Sequence, residues 1–247
     1  MLELATTDDG LLDGRIVLRQ PAKGYRAAID PLMLAGAVPA RGADCILDLG
    51  CGAGAGALAL AARLPQAHVT GVELDPGMAG LFAENILVNG FSDRLEAVTG
   101  DIAALTPELC DGRFDHVMMN PPYLEALNAT PSPDPRKQQA CVEGAARLAD
   151  WIEAGLAGVR CKGSITVIHR ADRLDDIIAL LHGRAGGVVV FPLWPKKGEA
   201  AKRVIVSACK GVRSPARVSP GLVLHRADGA FTPETDAILR GAGALVM

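Results

Sequence analysis

The segment Asn120-Pro121-Pro122-Tyr123 follows the apolar run FDHVMM, and Ile46-Leu-Asp-Leu-Gly-Cys-Gly-Ala-Gly54 runs from an apolar stretch into a glycine-rich turn. In the first, two successive prolines stiffen the chain and remove N–H donors, so carbonyl oxygens are left to accept hydrogen bonds. An aromatic or amide NH2 group has a delocalised lone pair and is a poor nucleophile. If the Asn120 side-chain oxygen and the Pro121 carbonyl hold its two hydrogens, the nitrogen can pyramidalise and aim that lone pair at an electrophilic carbon. Tyr123 would stack on the planar group. Asn120, Pro121, Pro122 and Tyr123 are therefore the candidate catalytic set.

The glycine turn lets backbone approach a ligand with no Cβ atoms in the way. By spacing alone it is ambiguous, because Gly50, Gly52 and Ala55 also satisfy the GxGxxA form of a nicotinamide-cofactor fingerprint. Asp48 tilts the balance: a carboxylate beside the loop repels a pyrophosphate, but it suits the cationic methionine end of S-adenosylmethionine. Glu73, in TGVELDP, is placed to accept hydrogen bonds from both ribose hydroxyls, which fits either cofactor. Asp101, in TGD, could accept from an adenine amine or simply cap a helix. Each motif has a bland reading as a rigid turn. Together they are more specific than either alone.

These residues need strands to carry them. Four strand-like runs are expected at 45–50, 68–74, 95–101 and 114–120, with helical or loop segments between them, an alternation that predicts a parallel sheet. Helix 77–88 is punctuated by Asp75-Pro76 before it and Asn89-Gly90 after it. Leu148, Ile152, Leu156 and Val159 form one helical stripe, and Leu174, Ile177, Ile178 and Leu181 another. A fifth strand is expected at 163–169. The last two, 187–193 and 203–209, are joined by WPKKGEAAK, too short for a crossover helix, so they must form an antiparallel hairpin. Ahead of the sheet, Asp13-Gly14 signals a β-hairpin, and Asp30-Pro31 reads as a helix start with Asp30 as N-cap. The expected organisation is an extension of ribbon and helix over 1–40 and one α/β domain over 41–247.

Composition narrows the class. With 247 residues, 49% hydrophobic and 21% charged, the chain can bury a sizeable core, and disorder is excluded. Its net charge of −3 announces no nucleic-acid or membrane partner by itself. The basic residues are nevertheless uneven: 196–217 holds Lys196, Lys197, Lys202, Arg203, Lys210, Arg213 and Arg217 against Glu199 alone, a net +6 that leaves −9 for the rest. Such asymmetry favours a surface that meets phosphates. Cys45, Cys51, Cys110, Cys141, Cys161 and Cys209 show no CxxC or CxxH spacing, so no metal site is expected and the thiols read as reduced and mostly buried. The acidic N-terminus and the lack of a long apolar run lead us to expect a soluble, cytoplasmic protein with no membrane partner.

With ILDLGCGAG, VELD, GD and NPPY in this order, the chain resembles the class I S-adenosylmethionine-dependent methyltransferases of the small-methyltransferase-domain group. Beyond that core it is similar to the bacterial family that N6-methylates adenine 37 of a valine tRNA. The likeness extends through LLDGRIVLRQPAKGYRAAIDPLMLA, SPDPRKQQACVE, WPKKGEAAKRVIVSACKG and LVLHRADGAFTPETDAIL. The resemblance implies a Rossmann-like, seven-stranded, mostly parallel sheet ending in an antiparallel hairpin, with helices on both faces. It implies S-adenosylmethionine as cofactor, held by Asp48, Gly50, Cys51, Gly52, Glu73, Leu74, Asp101, Ile102 and Asn120. RNA, with tRNA as the expected class, would meet Tyr123, Lys196, Lys197, Lys202 and Arg203. Two rival readings stand beside it: methylation of a protein glutamine, as by release-factor methyltransferases that also use NPPY, and a noncatalytic RNA-binding module on the same fold.

Overall fold

The computed structural model describes residues 5–23, 26–123, 146–241 and 243–247. Strands β3 (Cys45–Leu49), β4 (His68–Glu73), β5 (Leu95–Thr99), β6 (Phe114–Met119), β7 (Val159–Arg170), β8 (Ala185–Trp194) and β9 (Arg203–Lys210) lie side by side in the order β5-β4-β3-β6-β7-β9-β8. All run parallel except β9, which is antiparallel to both β7 and β8. The expected hairpin is present. The order proceeds outward from β3 to β5 and then jumps back to β6 on the other side of β3, and open α/β sheets bind ligands at the carboxyl ends of strands where such a reversal occurs. Gly50 and Asn120 follow the paired ends Leu49 and Met119, so both motifs emerge side by side at that crevice.

Two corrections concern the edge and the helices. Among the described residues the sheet has nine strands, because β10 (Arg217–Val218) and β11 (Leu222–Val223) each add two residues alongside β8 beyond the seven expected. Segments that short carry too few side chains to display a period. Val159 does not extend the stripe of Leu148, Ile152 and Leu156, since its helix, Leu148–Gly158, ends one residue earlier and Val159 opens β7.

Helices α1 (Asp30–Ala37), α2 (Ala55–Arg63) and α3 (Pro76–Val88) sit on one face of the sheet, and the helices Leu148–Gly158 and Leu174–Leu181 on the other. Strand β3 shows how period 2 divides these layers: Ile46 joins the first core, and Leu47 and Leu49 the second. Asp48 therefore projects on the α2 side with Ile46, the single charge in a buried strand. Asp75 caps α3 as expected, its Oδ1 accepting from Gly77 N at 2.7 Å.

The opening ribbon, β1 (Thr6–Leu11) with β2 (Ile16–Pro21), is antiparallel and turns through 12–15. Positive φ is found at Asp13 and Gly14, as expected, and also at Leu12, whose side chain is buried in the core with Ile16 and Leu18. Each such burial stabilises by roughly 1.5–3 kcal/mol, enough to offset the strained backbone of a leucine at φ 52. Asn85 on α3 and Asn89, its C-cap one turn later, dock the ribbon. Asn85 Oδ1 accepts from Arg19 N at 2.7 Å and its Nδ2 donates to Arg19 O, while Asn89 does the same for Val17 at 2.9 and 2.7 Å. The two carboxamides replace the missing neighbour strand of β2.

The thiols depart from expectation. Among the described residues Cys45 and Cys161 are exposed and Cys51, Cys110 and Cys209 half-buried, so none is fully buried; Cys141 lies outside the described residues, as does SPDPRKQQACVE. No helix among the described residues is long and apolar enough to cross a membrane.

Candidate active site

A cleft opens at the carboxyl ends of β3, β4 and β6, bordered by Asp48, Gly50, Gly52, Glu73, Asp101 and Asn120, with Gln20 and Pro21 of the ribbon closing one side. Cys51, Leu74, Ile102 and Pro122 also border it. The glycine turn is shaped by what a side chain would displace. A Cβ on Gly50 would land on the Trp151 ring and one on Gly54 on the Phe82 ring, and both residues have positive φ. A Cβ on Gly52, whose φ is also positive, would make only ordinary contact with the Met78 Cε at 3.7 Å.

Glu73 ties this turn together: one carboxylate oxygen accepts from Gly52 N and the other from Asp75 N, each at 2.9 Å. Burial pushes its carboxyl up, opposed by these backbone donors. Asp48 is 5% exposed, and burial, then the nearby Glu73 charge, pushes it to about 8. The Cys51 thiol is pushed up by burial and by both carboxylates, so it is not a poised nucleophile. Asp101 is exposed, and its Oδ1 accepts from Ala103 N at 2.9 Å as the cap of a short 3-10 turn, Ile102–Ala104.

At the end of β6 Asn120 and Pro122 border the cleft, whereas Pro121 is buried. Tyr123 Oη lies 2.7 Å from Asn120 Oδ1 and 2.6 Å from Asp30 Oδ2. Asp30 is therefore not the cap that its Asp-Pro context suggests: Ile29 holds the N-cap position and the Asp30 side chain makes no cap hydrogen bond. Its carboxylate instead accepts from Arg203 Nε at 3.2 Å, and the Arg203 guanidinium lies over the Tyr123 ring, 4.3 Å from its centroid. One face of the expected stacking ring is thus covered.

Residues 46–143 match the family model described as a methyltransferase domain. A tRNA1(Val) (adenine(37)-N6)-methyltransferase from Porphyromonas gingivalis is 32% identical over 220 residues, covering 85% of this chain and 81% of that protein. The chain belongs to the S-adenosylmethionine-dependent methyltransferases, in the family of the tRNA1(Val) adenine-37 N6-methyltransferases. A second such methyltransferase, from Actinobacillus pleuropneumoniae, is 27% identical over 82% of this chain and 84% of its own length. The crystal structure of a predicted O-methyltransferase from Agrobacterium tumefaciens is 32% identical and superposes with a TM-score of 0.73 over 87% of this chain and 98% of the other. The fold is that of class I methyltransferases.

S-adenosylmethionine is the cofactor of this methyltransferase, and the cleft suits it chemically. Asp48, Glu73 and Asp101 make the cleft acidic, which disfavours a pyrophosphate and favours a cationic ligand bearing hydroxyl and amine donors. A buried Asp48 whose carboxyl is pushed to about 8 is stabilised in its ionised form by a neighbouring ammonium or sulfonium.

The other residues of the methyltransferase are brought together unevenly. The β8–β9 loop projects at the same edge of the sheet as Asn120, because Arg203 pairs with Arg170 at the end of β7. Lys197 and Lys202 are exposed there, while Lys196 Nζ donates to Ala227 O at 3.2 Å. The basic segment is not one patch: Lys210 lies at the far end of β9 and donates to Val159 O, and Arg217 reaches Met247 O. Arg203 is turned inward on Tyr123 rather than outward. Sequence reasoning missed three residues at the cleft or around Tyr123: Asp30, read as a cap, Gln20, hidden in a ribbon strand, and His169, which carried no motif. The His169 ring packs edge-on to Tyr123 at 5.3 Å and is wholly buried. Burial first, then the Arg173 charge, pushes it down to about 4.

Proposed function

We propose that this methyltransferase acts on the exocyclic N6 amine of an adenine in RNA, with tRNA the substrate class. The observation that carries the reading is Asn120, whose carboxamide borders the same cleft as Asp48 and Glu73 at the switch point of the sheet. When bound, S-adenosylmethionine would supply an electrophilic sulfonium methyl group to the target amine, which would release one proton to water. The chain's part is to bind, orient and polarise. Asp48 would hold the cationic end of the cofactor, Glu73 its ribose and Asp101 its adenine.

Asn120 then accepts one hydrogen of the target amine, with the Pro121 carbonyl as the second acceptor, so that the nitrogen lone pair turns out of the ring plane. One preorganised polar partner of this kind contributes on the order of a hundredfold in rate. No strong base is required, because the nitrogen becomes acidic only as the new bond forms. The lysines at this edge, Lys197 and Lys202, are exposed to meet phosphates. The names of the relatives from Porphyromonas gingivalis and Actinobacillus pleuropneumoniae support tRNA as the class.

The test is incubation with labelled S-adenosylmethionine and unmodified total tRNA, followed by nucleoside analysis. N6-methyladenosine is the expected product. Label found in 2′-O-methyl nucleosides would instead favour the chemistry that the Agrobacterium tumefaciens relative is named for, and label found only in protein glutamine would overturn the RNA reading.

A further inference from the structure

Tyr123 Oη stands 2.6 Å from Asp30 Oδ2 and 2.7 Å from Asn120 Oδ1, yet a phenol has one proton to donate. Only one of these short contacts can be its hydrogen bond. Arg203 decides which: its Nε donates to the same Asp30 oxygen and its guanidinium covers the Tyr123 ring, so the Asp30 oxygen is the charge-assisted acceptor. A hydrogen bond to a carboxylate is about twice as strong as one to a neutral amide oxygen. With the proton committed to Asp30, Tyr123 turns lone pairs toward Asn120, and two oxygens at 2.7 Å with no proton between them repel. A half-turn of the carboxamide about Cβ–Cγ removes the conflict. Nδ2 then donates to Tyr123 Oη, and Oδ1 is released from the phenol.

We propose that Asp30 is a positioning residue for methyl transfer, holding the Asn120 carboxamide through Tyr123 with its nitrogen on the phenol and its oxygen free for the substrate amine. This rests on the reading of Asn120 as the acceptor of an NH2 group. The two orientations have opposite consequences: with Oδ1 on the phenol the site offers an NH2 to an NH2, donor against donor. Asp30, distant in sequence and without contact to the reacting atoms, thus sets the polarity of the catalytic carboxamide. Replacing its charge by an amide lets the Tyr123 proton pass to Asn120 Oδ1, and the unproductive orientation competes.

Two measurements on the whole protein test this. With asparagine-selective 15N labelling, and Asn120→Ala to assign the resonance, the wild-type Asn120 amide should show one proton shifted downfield and slowed in exchange. Tyr123→Phe should abolish that signature and Asp30→Asn diminish it. In single-turnover transfer to unmodified total tRNA, each variant should be ten- to a hundredfold slower, cofactor affinity by calorimetry should stay within twofold, and the double variant should be no slower than Tyr123→Phe. A wild-type amide without the bonded proton, or single effects that multiply in the double variant, overturns the proposal. If the amide signatures hold while the wild type makes no N6-methyladenosine, the positioning of Asn120 stands and the substrate reading alone falls.

Discussion

Strands β3, β6 and β7 carry polar clusters at both ends, and the residue types are nearly the same. At the carboxyl ends stand Asp48, Asn120 and His169; toward the amino side stand Asp44, just before β3, His116 of β6 and Ser164 in the middle of β7. His116 Nδ1 is 2.7 Å from Ser164 Oγ and its Nε2 is 3.0 Å from Asp44 Oδ2, an Asp–His–Ser chain with the spacing of a nucleophile relay. Ser164 is 3% exposed, however, so no substrate atom can reach it. That cluster is a strut: it fastens three strands and satisfies its own polar groups. The carboxyl-end cluster differs in bordering a cleft, where Asp48 is buried and burial pushes its carboxyl to about 8. Residue types alone do not mark a site; polar groups that border an open cleft do.

Asn120→Ala tests this contrast most severely. It should lower the single-turnover rate by on the order of a hundredfold or more, with cofactor affinity and thermal stability nearly unchanged. A wild-type rate would place the chemistry elsewhere. His116→Ala should do the reverse: it removes two hydrogen bonds and strands buried Ser164, costing about 1–3 kcal/mol in urea denaturation while leaving the transfer rate of the folded protein intact. Loss of activity without loss of stability would show that the amino-end cluster is more than a strut. The smallest effect concerns charge at the two ends. Reversing Lys197 and Lys202 to Glu should weaken RNA binding and flatten the dependence of log K on log salt by roughly 0.7–0.9 for each phosphate no longer neutralised. Arg213→Glu, in the part of the basic segment that lies away from the site, should leave that slope unchanged in filter binding across a salt series.

Much of the glycine-turn side of the cleft was legible in the sequence, because it is built from contiguous residues whose backbone preferences are local. The glycine turn, the Asp75 cap and the alternation of apolar runs each announce themselves within a few residues. The substrate half was less legible. Asn120 and Tyr123 were visible as a motif, but Asp30 looked like an ordinary helix cap and His169 like any strand residue. The basic segment misled in one respect: its net +6 reads as one surface, and the length of β9 separates its two ends.

The sequence by itself determined the layer architecture, the position of the glycine turn, the acidic character of the cleft through Asp48 and Glu73, and the NPPY turn, since each depends on neighbouring residues and on the periods of strand and helix. Only the tertiary structure decided what surrounds Tyr123. Asp30 comes from α1, Tyr123 from the turn after β6, His169 from β7 and Arg203 from β9, and they meet because the sheet order β3-β6-β7-β9 sets those strands side by side with β9 reversed. That reversal brings the first residue of β9 to the carboxyl edge, where its guanidinium can reach Asp30 and cover the phenol. Hydrogen-bond direction follows from such meetings. A single phenolic proton, contested by two acceptors from distant segments, is a property of the assembled edge and not of any stretch of chain.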